Sequence, residues 1–283
     1  MKVVKKIKPI VIGISGAFIG LANLVPGISG GTVAIIFGIY DELIAAFKGI
    51  VSRDNNWRQY PDFLLPFLTG LLAALFLFAR SIEQIMESHP TQMKMFFIGL
   101  ILGAVPFLYQ KMDIKKLHIS SVVLTLAFFF IPILLLIFQP DERELITSPV
   151  ISEFPLIFFT GFISTATMII PGISGTMVLM VIGMYPTYIA ALSNLHGVVL
   201  LLLAIGKVLG VLLVSRLINY LLREFFRSTY LAIIGLLLGS IVNIWPGVST
   251  EPIILLDISI LLTGFALAYF LQSKPLQQVT DKF

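Results

Sequence analysis

The chain is 283 residues long, 58% hydrophobic and only 12% charged, with a mean hydropathy of +1.00, values that exclude a water-soluble domain of this size. It has no cysteine, which removes disulfide frameworks, thiolate metal sites and thiol redox chemistry. The net charge of +4 and pI near 9.2 come from basic residues in short segments between apolar runs, so they report orientation in a membrane and imply no nucleic-acid partner.

Four lysines precede an apolar run at the start, Met1 to Lys8, as in a signal peptide. The run leads directly into a motif that recurs later in the chain, so the segment is expected to be retained. Residues 9–40 contain no Asp, Glu, Lys or Arg, and in their middle stands Pro26-Gly27-Ile28-Ser29-Gly30. A proline and two glycines break a helix there, which predicts a hairpin over about 10–47. Long uniform apolar runs then predict spanning helices over about 62–86, 93–109 and 119–138, since barrel strands would alternate every second residue. After the acidic loop Asp141-Glu142-Arg143-Glu144 comes a stretch, 154–206, with no charged residue at all. It holds a second broken hairpin over about 154–192, with Pro171-Gly172-Ile173-Ser174-Gly175 at its break. Spans over about 197–222, 229–246 and 253–272 complete the chain.

The two pentapeptides are identical and 145 positions apart, and the match continues at that offset through Val33/Val178, Gly38/Gly183, Tyr40/Tyr185, Ile44/Ile189, Ala45/Ala190 and Ala46/Ala191. At an offset of 136 it resumes through Gly70/Gly206, Arg80/Arg216, Ile82/Ile218, Ile98/Ile234, Gly99/Gly235, Leu100/Leu236, Leu102/Leu238 and Gly103/Gly239. The nine-residue difference falls where the first copy has the polar loop Lys48 to Pro61 and the second only Ser193 to Gly197, as an insertion in one surface loop would leave it. The expected fold is a single all-α integral membrane domain. Its halves, about 1–140 and 150–275, are each a broken or re-entrant helical hairpin followed by three transmembrane helices.

Orientation follows from the Lys and Arg positions. With the N-terminus cytoplasmic and each hairpin returning to the side it entered, segments 1–9, 48–61, 110–118, 223–228 and 273–283 lie inside and hold 14 of the 19 basic residues, whereas the outside segments hold only Lys94 and Arg143. That is a strong positive-inside bias, and it puts both termini in the cytoplasm. Each half crosses an odd number of times, so the second is expected upside down relative to the first. The two Pro-Gly-Ile-Ser-Gly elbows then approach each other near the midplane from opposite sides, an architecture that recurs in alternating-access carriers.

The elbows suit an anion. Gly30 and Gly31 permit a turn with exposed N–H groups, Ser29 and Thr32 add hydroxyls, and the helix restarting near Val33 offers unpaired donors and a partial positive charge. Ser174, Gly175 and Thr176 repeat this from the other side. Asn23, Pro26, Gly27, Pro171 and Gly172 are expected to line the same cavity. The bland alternative is that the glycines only allow a tight turn and close helix packing. Lys207 stands about ten residues into its span, where an unpaired charge costs at least ~2.5 kcal/mol, so a functional role is the default reading. Arg80 and Arg216 sit toward opposite membrane faces and are candidates to receive an anionic head group at the two openings; alternatively both snorkel to the interface, or Arg80 pairs with Glu83. Asp41 and Glu42 are not duplicated and are expected at an interface, while Glu83 and Asp257 fall near the membrane faces. His89, His118 and His196 are scattered and make no metal-ligand cluster. Neither a Ser-His-Asp arrangement nor a phosphate-binding nucleotide loop is visible, and no cofactor is expected.

The run Asn23-Leu24-Val25-Pro26-Gly27-Ile28-Ser29-Gly30-Gly31-Thr32, with the later Pro171-Gly172-Ile173-Ser174-Gly175-Thr176, resembles the PopT-type polyprenyl-phosphate transporter family over nearly the whole chain. The resemblance implies a flippase of the bacterial plasma membrane that returns undecaprenyl phosphate from the outer to the cytoplasmic leaflet for cell-envelope synthesis. Two other readings stay open. BacA-type undecaprenyl-pyrophosphate phosphatases also carry Pro-Gly-x-Ser in inverted re-entrant hairpins, but Gly30 and Gly175 stand where those enzymes would have arginine, and residues 9–40 hold no glutamate. A carrier for a small soluble anion would use the same cavity.

Overall fold

The structure is a computed structural model that describes residues 8–23, 28–52, 60–113, 118–137, 145–194, 196–247 and 253–273. The first half contains α1 (Pro9–Asn23), α2 (Gly30–Ile36), α3 (Tyr40–Ser52), α4 (Tyr60–Ser88), α5 (Pro90–Lys111) and α6 (Ile119–Ile137). The second contains α7 (Phe154–Ile169), α8 (Gly175–Ile182), α9 (Tyr185–Ser193), α10 (Gly197–Glu224), α11 (Phe226–Ile244) and α12 (Ile253–Ser273). Among the described residues, seven helices are long and apolar enough to cross a membrane: the six predicted spans, and α7, the entering arm of the second hairpin, with the short turn that precedes it. At 15 residues α1 is shorter. Large apolar side chains stand on the outside, among them Phe76 at 84% and Ile119 at 85% exposure, a surface that only hydrocarbon accommodates over so wide an area.

Both returning arms are broken in two. Between α2 and α3, Gly38 has φ +67, with its N–H on Ile35 O at 2.9 Å and the Ile39 N–H on Ala34 O at 3.0 Å. Between α8 and α9, Gly183 has φ +75, with its N–H on Met180 O and the Met184 N–H on Leu179 O, both at 2.9 Å. These are two copies of one helix-ending motif, built on a left-handed residue that glycine adopts without strain. The pair Gly38/Gly183 belongs to the sequence repeat, so the break is duplicated with it.

The helices associate in four long pairs. α1 runs along α4 and α7 along α10, within each half, while α5 runs along α12 and α6 along α11, across the halves. Exchanging the halves turns this set of pairs into itself. Glycine sets the close approach in all four. A Cβ on Gly16 or Gly70 would run into the carbonyl of Phe67 or Gly13, and one on Gly161 or Gly206 into that of Leu203 or Phe158. In the pairs that join the halves, Gly99, Gly103 and Gly264 abut Leu261, Phe265 and Phe96, and Gly235 and Gly239 abut Thr125 and Phe129. Apolar helices gain little by leaving lipid for each other, so close backbone packing of this kind is what holds them together. Gly206→Leu is accordingly expected to lower stability by about 1–3 kcal/mol through overpacking against α7, read as a lower apparent melting temperature in detergent. Gly197→Leu, whose Cβ would meet nothing within 4 Å, is its control.

Candidate functional site

The two elbows interlock. Ser29 caps α2, its Oγ accepting from Gly31 N at 3.2 Å, and its own proton is shared between the backbone oxygens of Ile170 at 3.1 Å and Met168 at 3.2 Å, where α7 ends. In the other direction Gly172 N donates to Thr32 Oγ1 at 3.1 Å. Tyr40, the first residue of α3, donates from its hydroxyl to Ile169 O at 3.3 Å. Gly31 is what lets the chains come this close: a Cβ there would stand 2.6 Å from Ile169 O and 3.1 Å from Pro171 N. Gly172, with φ +82, packs its α-carbon against the Leu236 backbone of α11. All of this lies in the interior, with Ser29, Thr32 and Ser174 at 2%, 3% and 4% exposure.

Ser29, Gly30, Gly31, Thr32, Pro171, Gly172, Ser174 and Gly175 are therefore brought into one buried region. The hydroxyls of Ser29 and Thr32 are engaged with the opposite half's backbone. Gly30 and Gly31 also border a cavity of about 180 Å³ with Tyr40, Phe67, Thr165 and Met168. Thr176 and Asn23 are placed on α8 and α1, but their side chains, and all of Pro26 and Gly27, lie outside the described residues.

Lys207 is half-buried on α10, between Gly206 and Gly210, which both pack on α7. It is ten residues from the start of α10, roughly 15 Å of helix and so near the middle of a bilayer. Its Nζ donates to Tyr188 Oη at 2.8 Å and stands 4.4 Å from the centre of that ring. A tyrosine satisfies one of three ammonium protons and offers its negative π face to the charge. Arg80 and Arg216 are both exposed. Among the described residues neither is hydrogen-bonded or ion-paired to Lys207 or to an elbow residue.

Polar groups that the sequence did not connect also meet here. Asp41 of α3 takes Lys111 Nζ of α5 on one carboxylate oxygen at 2.6 Å and Tyr230 Oη of α11 on the other at 2.8 Å, and Lys111 also donates to Tyr230 Oη at 2.8 Å. The orientation counted from Lys and Arg puts all three at the cytoplasmic side, the one signal that pointed to this cluster. Lys48 reaches from α3 to Asn219 Oδ1 of α10 at 3.3 Å. Together these contacts fasten α3, and through Tyr40 the second elbow, to three helices. Tyr230→Phe removes a 1%-exposed hydroxyl bonded to both ions and is expected to cost about 1–3 kcal/mol, seen in the same melting assay. On the other predicted face, Asp257 of α12, 1% exposed, accepts from Gln92 Nε2 of α5 at 2.8 Å. Among the described residues no cluster of His, Asp and Glu is disposed to hold a metal ion.

Among the described residues, no carboxylate or imidazole is hydrogen-bonded to Ser29, Gly31, Thr32 or Gly172 of the elbows. The elbows carry backbone N–H groups and hydroxyls, and α10 separately carries a half-buried ammonium, the kinds of donor an anion needs to be held in hydrocarbon. Comparison with known proteins points the same way. The polyprenyl-phosphate transporter of Vibrio cholerae serotype O1 is 31% identical over 244 residues, 82% of this chain and 76% of that protein. The polyprenyl-phosphate transporter of Staphylococcus aureus is 30% identical over 250 residues, 84% of this chain and 87% of that protein. Both are transporters and not enzymes. No solved structure matches the chain. Residues 19–260, which take in both elbows and Lys207, match the family described as VCA0040-like, undecaprenyl phosphate translocase-like, and the chain belongs to that family.

Proposed function

We propose that this protein carries undecaprenyl phosphate, or a closely similar polyprenyl phosphate, from the outer to the cytoplasmic leaflet of the bacterial plasma membrane by alternating access, with both termini in the cytoplasm. The observation that carries the reading is the buried interlock of two identical elbows, in a chain whose relatives are polyprenyl-phosphate transporters. The self-mapping helix pairs support an inverted repeat, in which one hairpin opens inward and the other outward.

In this mechanism the phosphate competes for donors that the elbows now use on each other. Gly172 N–H leaves Thr32, Ser29 Oγ–H leaves the α7 carbonyls, and each turns to a phosphate oxygen as the halves rock. Ser174, Gly175 and Thr176 act equivalently from the second elbow. Lys207 balances the charge halfway, while Arg80 and Arg216 meet the head group at the two openings. The isoprenoid tail stays in apolar surroundings throughout, so only the head requires a polar route.

Liposomes carrying polyprenyl phosphate in one leaflet test this by leaflet-specific detection, with inorganic phosphate measured in parallel. Transfer without phosphate release is expected. Release from the pyrophosphate form would establish the phosphatase instead, and uptake of a water-soluble anion with no lipid movement would establish the small-anion carrier.

A further inference from the structure

A cavity of about 380 Å³ lies between α1, α5 and α12, and every side chain lining it is apolar. Its outer wall includes Ile14 and Phe18 of α1 and Leu267 of α12, which are 49%, 46% and 40% exposed. Its inner wall is Ala22, Val33 and Ile36, at 1%, 4% and 2%. The space thus runs from the lipid-facing side of the protein inward to α2, the short helix that Ser29 caps. Val33 is three residues from Gly30, roughly 5 Å along the helix axis, so the cavity's inner end comes within one turn of the first elbow.

Position, lining and size together fit one kind of occupant. The lateral mouth faces the hydrocarbon and the lining offers no polar group to bind a head group or to hold water. An engineered apolar cavity of about 150 Å³ takes a benzene ring; by that measure 380 Å³ takes about fifteen carbons, or three five-carbon units. Phe18, Phe37, Phe96 and Phe97 face it, with the Phe18 and Phe37 rings 5.0 Å apart and tilted by 37°. Such ring faces and edges pack against the methyl branches and double bonds of an isoprenoid more fully than against a straight acyl chain.

We infer that this crevice is a tail-binding subsite, holding the isoprene units nearest the phosphate while the head group occupies the elbows. The inference rests on the proposed transport of polyprenyl phosphate and adds where the tail is gripped and why a branched chain is preferred. Selection of the lipid then resides in the first half, through α1, α2 and α5 with α12, and not in the phosphate site, which every anionic lipid would satisfy.

The test uses the full chain with a diazirine-bearing amino acid at Leu21, inside the crevice. The control carries it at Leu126, a 49%-exposed residue of α6 away from it. Each is placed in phosphatidylethanolamine–phosphatidylglycerol vesicles containing a small fraction of undecaprenyl phosphate and irradiated. Adducts at Leu21 are expected to be enriched in the prenyl lipid over the bilayer composition by about tenfold or more, equivalent to ~1.4 kcal/mol of preference, while adducts at Leu126 follow the bilayer. Phe18, at the mouth, provides a second position if the Leu21 variant does not fold. Leaflet transfer is measured in parallel with the unsubstituted chain in vesicles of the same composition. Transfer with adducts at Leu21 and Phe18 that merely mirror the bilayer would overturn the subsite and leave the transport reading intact. Enrichment without transfer would keep the subsite and overturn transport. Absence of both would overturn both.

Discussion

Gly172→Ala is expected to abolish transport and to lower the apparent melting temperature. Three costs coincide at this position. The backbone is left-handed, with φ +82, which penalises any residue with a Cβ by about 1–2 kcal/mol. The new methyl would lie within 2.6 Å of Leu236 O and still closer to its carbonyl carbon, and backbone of a packed helix cannot swing aside as a side-chain tip can, so overpacking adds about 1–3 kcal/mol. Any shift that relieves the clash pulls Gly172 N away from Thr32 Oγ1, breaking a buried link between the elbows worth about 1 kcal/mol. Gly197→Ala meets nothing within 4 Å and is expected to change neither melting nor transport. If Gly172→Ala melted and transported like Gly197→Ala, the elbow would not be the rigid joint described here.

Lys207→Met is expected to separate function from stability in the opposite sense. Methionine keeps a flexible apolar stem of similar reach and removes an ammonium from mid-membrane, so melting is expected to hold or rise, since the buried charge costs at least ~2.5 kcal/mol. Transport is expected to fall by about tenfold to a hundredfold. A hydrogen bond to a charged group contributes about 1.5–3 kcal/mol, and each 1.4 kcal/mol is a factor of ten. Lys94→Met, at an exposed position, is the charge-matched control and is expected to transport normally. Equal transport by the two variants would remove Lys207 from the head group's path. Lys207→Arg is expected to recover only part of the loss, because a wide planar guanidinium does not reproduce the compact point charge that the ammonium places 2.8 Å from Tyr188 Oη.

Much of the framework was legible because membranes impose length and break rules that sequence expresses directly. The spans fall where the long apolar runs placed them, and the elbows meet as two copies of one motif were expected to. Gly70/Gly206, Gly99/Gly235 and Gly103/Gly239, found only as repeat matches, prove to be points of closest helix contact. Neighbour choice was not legible: α5 pairs with α12 and α6 with α11, yet lipid-facing and protein-facing sides of such helices are both apolar, so no stripe marks the partner. The breaks at Gly38 and Gly183 were hidden because a lone glycine inside an apolar run does not announce a left-handed turn. The engagement of Ser29 and Thr32 with the opposite backbone depends on contacts about 140 residues apart in sequence, beyond any local pattern. Nor does a local pattern mark Tyr188, 19 residues before its partner Lys207, or Asp41, which meets Lys111 and Tyr230 from 70 and 189 residues away.

The inverted relation of the two hairpins is the premise on which alternate opening toward each leaflet depends, and a chain with no native cysteine allows it to be measured directly. Single cysteines at Ser52, where α3 ends, and at Asn194, just after α9, are to be probed in intact cells with a membrane-impermeant maleimide, before and after permeabilisation. Asn194→Cys is expected to react from outside and Ser52→Cys only once the membrane is opened. Reaction of both from the same side would put the two hairpins in parallel and contradict the mechanism.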